Sequence, residues 1–110
     1  MQEIDKYASA CCPVVDLHIE PKVRQLIPGY LESRRRDVEA LRAALETSDY
    51  EAIRDLGHKM SGTGGAYGLP RITEIGSNLE KAARERDPQL IRAQTDELTR
   101  FLSRATGAQP

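Results

Sequence analysis

Between Pro21 and Arg104 the apolar positions recur at steps of three, four and seven, the spacing that gathers side chains on one face of an α-helix. Ile27, Tyr30, Leu31, Val38, Leu41 and Leu45 form the first such stripe, with Glu32, Arg35, Arg36, Glu39 and Arg42 on the opposite side. They predict a long helix from Pro21 to near Thr47. Pro21 suits its first turn, where a missing N–H costs nothing, whereas Pro28, inside the pattern, predicts a kink or a helix restart. Ser48 and Glu51 read as an S-x-x-E capping box that opens a second helix, with Ile53, Leu56 and Met60 on its buried side. That helix runs into a glycine-rich segment ending at Gly68. After a tight link at Leu69, Pro70 begins a third helix with the stripe Ile72, Ile75, Leu79, Ala82 and Ala83. Asp87 caps a fourth, with Pro88 at its first position and Leu90, Ile91, Leu98, Phe101 and Leu102 along it.

Four helices with short links imply an all-α, antiparallel up-down-up-down four-helix bundle over residues 20–104. No stretch alternates with period two, so no sheet is expected. Residues 1–19 stand apart from the bundle. There, Ile4, Tyr7, Ala8, Cys11 and Cys12 fit a short extra N-terminal helix that Pro13 would end. Residues 105–110 read as a frayed C-terminal tail.

Composition narrows the function classes. A chain of 110 residues makes one domain and can bury a core without disulfide or metal staples. No apolar run approaches the length of a membrane span, and the N-terminus lacks the basic start and apolar stretch of a secretory signal. With 16 basic against 17 acidic residues the charge is nearly balanced, which argues against nucleic acid as a partner. Cys11 and Cys12 are adjacent, which suits neither a bridge nor a zinc site; we expect a reducing, cytoplasmic setting.

The chemistry is concentrated where the helix pattern breaks its own rules. Gly57, Gly62, Gly64, Gly65 and Gly68 fall within twelve residues, and glycine in a helix interior costs about 1 kcal/mol relative to Ala. The phase of Ile53, Leu56 and Met60 nevertheless continues through Gly64, so a helix with useful bare backbone is expected in preference to a loop. At about 100° per residue, His58 lies roughly 140° from the buried direction and faces solvent. Gly62 and Gly65 fall within roughly 40° of it, and Ser61 within roughly 60°. Arg54 precedes His58 by one turn and Gly62 follows it by one turn, where a larger side chain would crowd the ring. Imidazole is a nucleophile near neutral pH and can carry a phosphoryl group as a phosphoramidate. An exposed histidine is by itself more often a plain surface residue, and spaced glycines can serve close helix packing. The phosphate-loop patterns G-x-x-x-x-G-K-[ST] and G-x-G-x-x-G are absent. His18 lies far from His58 in sequence, no carboxylate or Cys stands at a metal spacing around His58, and no metal site is expected.

The stretch His58-Lys59-Met60-Ser61-Gly62-Thr63-Gly64-Gly65-Ala66-Tyr67-Gly68-Leu69, followed by Ile72, Ile75, Leu79 and Glu80, resembles the histidine phosphotransfer (HPt) domains of bacterial two-component phosphorelays. Their signature is a histidine, an apolar residue two further on, lysine-glycine at plus three and plus four, small residues, a glycine at plus ten, and a following leucine-glutamate. The resemblance implies that His58 is phosphorylated, that Gly62 gives clearance and that Gly68 ends the helix. It also implies that Arg54, Lys59, Ser61, Gly62 and Gly65 support docking and the phosphoryl group. One position departs, because Ser61 stands where the family has lysine. Ser61 can offer a hydrogen bond but no charge, Lys59 points about 100° away from His58 around the helix, and Arg54 is the better substitute.

The same resemblance implies a carrier without autonomous catalysis or a cofactor of its own. It would be a monomer that takes phosphate from an aspartyl phosphate on a receiver domain and passes it to another, with Mg2+ belonging to the receiver. The partners implied are receiver domains of response regulators or hybrid histidine kinases, with no nucleic acid and no membrane. Two other readings stand beside this one. One is an HPt-like docking module or kinase regulator that transfers no phosphate, and the other is a helical oligomerisation module built on the Ile27, Tyr30, Val38, Leu41 and Leu45 face.

Overall fold

The computed structural model describes residues 21–106. The helix expected before Pro13 and the tail beyond Thr106 lie outside the described residues. Among the described residues all regular structure is helical: α1 (Pro21–Glu46), α2 (Tyr50–Gly64), a 3₁₀ turn (Gly65–Tyr67), α3 (Pro70–Arg84) and α4 (Pro88–Thr106). The four helices follow one another in the antiparallel bundle that the four apolar stripes predict. At about 1.5 Å rise per residue, the 26 residues of α1 run almost the whole 40 Å long axis of the molecule. Pro28 sits exposed inside α1, which continues through it without a restart. α4 reaches Thr106, two residues past the expected end at Arg104.

The three links share one backbone device. Ser48, Gly68 and Arg86 each take a left-handed conformation, with φ of 56°, 72° and 54°. At each, two N–H groups fold back onto the final carbonyls of the helix just ended, a Schellman arrangement. Ser48 N donates to Leu45 O and Asp49 N to Ala44 O; Gly68 N donates to Gly65 O and Leu69 N to Gly64 O; Arg86 N donates to Ala83 O and Asp87 N to Ala82 O. This corrects the capping box expected at Ser48 and Glu51. Ser48 is already committed to closing α1, and a left-handed residue cannot serve as an N-cap. The cap is Asp49, whose Oδ1 accepts from Ala52 N at 3.1 Å. Asp87 caps α4 as expected, with Oδ1 accepting from Leu90 N at 3.2 Å.

The core is the sum of the four stripes. Leu41, Ile53, Met60, Ile72, Ile75, Leu79, Ile91 and Leu98 are completely buried, while Leu45, Leu56 and Leu90 are half-buried at its margin. Leu69, read from sequence as part of a link, is also buried, because the turn at Gly68 folds it under the bundle. Thr95 is the one buried polar residue of the described core, and its hydroxyl donates to Ile91 O at 2.8 Å within its own helix.

Two contacts fix where α2 stands, and therefore where its outer face points. Towards α1, the Tyr30 and Tyr67 rings stack at 4.1 Å, and the Arg34 guanidinium lies 4.5 Å over Tyr30. The Tyr30 hydroxyl reaches Thr63 Oγ1 at 2.7 Å, and Thr63 donates to Lys59 O at 2.9 Å, so Tyr30 is the donor to Thr63. Towards α3, the backbones nearly touch. A Cβ on Gly57 would lie 2.7 Å from Gly76 O, and one on Gly76 would lie 2.5 Å from Ser61 N. Glycine at both positions is what lets α2 and α3 approach so closely.

Candidate functional site

His58 lies near the middle of α2 and points outward, with 77% of its side chain exposed. It is not isolated. Its Nδ1 lies 3.3 Å from Glu80 Oε2 on α3, and that same oxygen lies 3.3 Å from Arg84 Nη2 one turn further along α3. The Glu80 side chain is only 23% exposed, so the carboxylate is backed by protein and offers one edge to the imidazole. A carboxylate near Nδ1 favours the tautomer with its proton on that nitrogen, in which Nε2 carries the lone pair. The close approach at Gly57 and Gly76 brings the two helices near enough for this short contact between side chains.

One turn after His58, Ser61 Oγ and Ser77 Oγ lie 3.1 Å apart. The pairs 58–80 and 61–77 mark the register of the two antiparallel helices. They align the stripe Arg54, His58, Ser61, Gly65 on α2 and its extension with Arg84, Glu80, Ser77, Thr73 on α3. Gly65 completes the series, because Thr73 Oγ1 is the nearest atom to its virtual Cβ, at 3.9 Å. The imidazole therefore sits along a shallow seam between two helices, not on a lone ridge.

The residues singled out from sequence divide between the two sides of α2. Arg54, His58 and Ser61 belong to the α3 side. Lys59 turns towards α1, where its charge acts on Asp37. Burial raises the Asp37 carboxyl above its usual range, with Arg34 (Nε to Oδ2 at 2.7 Å) and then Lys59 pulling the other way. Gly62 is exposed, and a Cβ built on it meets nothing within 4 Å, so the space one turn from His58 is open. Gly64 is buried as the phase predicted, and Gly68 ends the glycine-rich segment with the left-handed turn described above.

Sequence reasoning assigned no role to Ser77 or Arg84 and carried Glu80 only as part of a motif. The signal that could have found them is the spacing of Thr73, Ser77, Glu80 and Arg84, which matches that of Arg54, His58, Ser61 and Gly65 in reverse. Its meaning depends on the register, which the sequence alone does not set.

No group of three or more His, Cys, Asp or Glu among the described residues is arranged to hold a metal ion. No helix among them is long and apolar enough to cross a membrane. Comparison with curated proteins and with solved structures returns no match. The family model of the Hpt domain does match, over residues 25–106, which takes in α1 from its fifth residue, the other three helices and the seam that carries His58. An exposed histidine on the second helix of an all-α bundle, open backbone one turn beyond it and a match across most of the chain converge on one assignment: this chain belongs to the Hpt domain family.

Proposed function

We propose that the chain is a phosphorelay intermediate that accepts a phosphoryl group on His58 from the aspartyl phosphate of a receiver domain and passes it to the aspartate of another. The observation that carries this is the contact between His58 Nδ1 and Glu80 on an otherwise exposed ring. It leaves Nε2 as an outward nucleophile whose orientation is set from behind.

The step is an in-line displacement. The Nε2 lone pair attacks phosphorus, an N–P bond forms, and the P–O bond to the receiver's aspartate breaks with its electron pair going to the departing carboxylate. Nδ1 keeps its proton towards Glu80, which compensates the positive charge that develops on the ring. Return transfer runs the same step backwards. The leaving-group chemistry and Mg2+ are supplied by the receiver's acidic pocket, and this chain contributes the nucleophile, its orientation and the clearance to reach it.

The receiver covers the face around His58, with Arg54, Ser61, Gly62 and Gly65 at the contact and Lys59 towards α1. Gly62 admits the partner's approach because no side chain stands there. Incubation with phosphorylated receivers from the same genome tests the reading. Acid-labile, base-stable label should appear on the chain and be lost in His58→Gln. Stable binding to receivers with no label on His58 would make the chain a docking module instead.

A further inference from the structure

The four helices meet along the seams α1–α2, α2–α3, α3–α4 and α4–α1. His58 stands on α2–α3, so α4–α1 is the seam on the opposite side of the bundle. A cavity of about 340 Å³ opens on that seam, lined by Arg42, Leu45 and Glu46 of α1 and by Arg92 and Thr95 of α4. Its size falls within the range of small-molecule sites. Leu45 is half-buried and Thr95 buried, so these two form the floor, while Arg42, Glu46 and Arg92 are exposed at the rim. The Thr95 hydroxyl already donates to Ile91 O at 2.8 Å, which leaves the two guanidiniums as the side-chain donors of the cavity. They come from opposite sides of the seam. Arg42 is held in place, since its Nη2 donates to Thr99 Oγ1 on α4 at 3.2 Å and lies 3.8 Å from Asp96 Oδ1. Arg92 has no ion pair or side-chain hydrogen bond among the described residues, although Gln94, Asp96, Glu97 and Arg100 of the same helix are all engaged.

We propose that this cavity binds a small monocarboxylate with an apolar body, the carboxylate between Arg42 and Arg92 and the body over Leu45. The lining sets the class. Two guanidiniums against the one carboxylate of Glu46 leave a single positive charge to be matched. A dianion would keep one charge uncompensated beside Glu46 and lose more hydration on entering. A planar guanidinium takes a carboxylate through two parallel N–H bonds, and the donor that Arg42 commits to Thr99 leaves it others to offer. Covering Leu45 with an apolar body adds to the charge pairing. The inference is independent of the carrier reading, because a partner seated on the α2–α3 seam leaves the opposite seam open.

The test titrates the full chain, labelled with 15N, with phenylacetate and follows the amide signals by NMR. The shifts should saturate and centre on residues 42–46 and 92–96, leaving His58 and Ser61 unmoved. Arg92→Ala should weaken binding about fivefold, the size expected for losing one exposed charge pair. Its fold should hold, because Arg92 is exposed and outside the core. Arg104→Ala, which removes an exposed arginine of the same helix outside the cavity, should bind as the wild type does, and Glu46→Gln should bind more tightly. Phenylethanol lacks the charge and acetate lacks the apolar body, so both should bind more weakly than phenylacetate, as should dianionic phenylphosphonate. The proposal is overturned if the shifts do not saturate or centre elsewhere, if Arg92→Ala keeps wild-type affinity, if Arg104→Ala loses as much, or if any of the three other probes binds as tightly as phenylacetate. His58→Gln should bind phenylacetate unchanged, so failure of this site and failure of phosphotransfer are separate results.

Discussion

Replacing Gly62 by Gln separates the two things a glycine at that position can do. In the helix, Gly62 is a defect: glutamine is a far better helix former, and glycine lies about 1 kcal/mol below alanine in a helix interior. The usual opposing cost, overpacking, is missing, because a Cβ at Gly62 meets no atom within 4 Å. Position 62 lies in the last turn of α2, where the helical gain is partial, so Gly62→Gln should stabilise the fold by about 0.5–1 kcal/mol. That corresponds to a rise in Tm of roughly 2–6 °C for a domain of this size. The effect on transfer has the opposite sign. The glutamine side chain stands one turn from His58, over the ground the proposed receiver partner would cover, and displacing the reacting groups by about 1 Å can cost about 100-fold in rate. Thermal unfolding and transfer from a phosphorylated receiver, measured on the same preparation, give both numbers. A stabilised protein with wild-type transfer would refute the clearance argument, and a destabilised one would refute the open helical geometry of position 62.

Three further outcomes follow from the fold. Gly57→Ala forces a Cβ to within 2.7 Å of Gly76 O and 2.8 Å of Glu80 N; it should destabilise by about 1–3 kcal/mol, as overpacking does, and slow transfer by moving Glu80 away from His58, both read from denaturant titration and a transfer assay. Asp49→Ala should cost about 1 kcal/mol by removing the N-cap of α2, whereas Ser48→Gly should stabilise by relieving the left-handed residue; equal effects from Asp49→Ala and Ser48→Ala would restore the capping box at Ser48. Hydrogen bonds from Arg100 and Arg71 hold the Glu97 carboxyl below its usual range. A depressed carboxylate adds stability above its unfolded value and loses it as pH falls through the folded one. Glu97→Gln should therefore be less stable than wild type at neutral pH by under about 1 kcal/mol, given the exposure of the pair, and the gap should close in acid, as unfolding curves between pH 7 and pH 2.5 would show.

The fold was legible because its information is local. Ile72, Ile75, Leu79, Ala82 and Ala83 repeat at helical spacing, and all five are buried. Pro70, Asp87 and Pro88 mark helix starts by chemistry that acts within a turn. The outward direction of His58 was equally legible, since a helix fixes the angle between any two of its residues once one face is known to be buried. The cap of α2 was misplaced by one residue because Ser48 and Asp49 both carry capping side chains. The choice between them is made by how α1 ends, which is settled where the two helices meet.

Tertiary structure decided what faces the imidazole. Gly57 and Gly76 are distant in sequence, and nothing in their separate surroundings says that their backbones nearly touch. That contact sets the register of α2 on α3, and the register places Glu80 at His58 and Ser77 at Ser61. The sequence by itself determined that there is a bundle, that His58 is exposed on it and that Gly62 leaves room beside it, because each depends on the periodicity of a single helix. Which carboxylate stands at Nδ1 depends on how two helices slide against each other, a degree of freedom that the backbone contact at Gly57 and Gly76 removes.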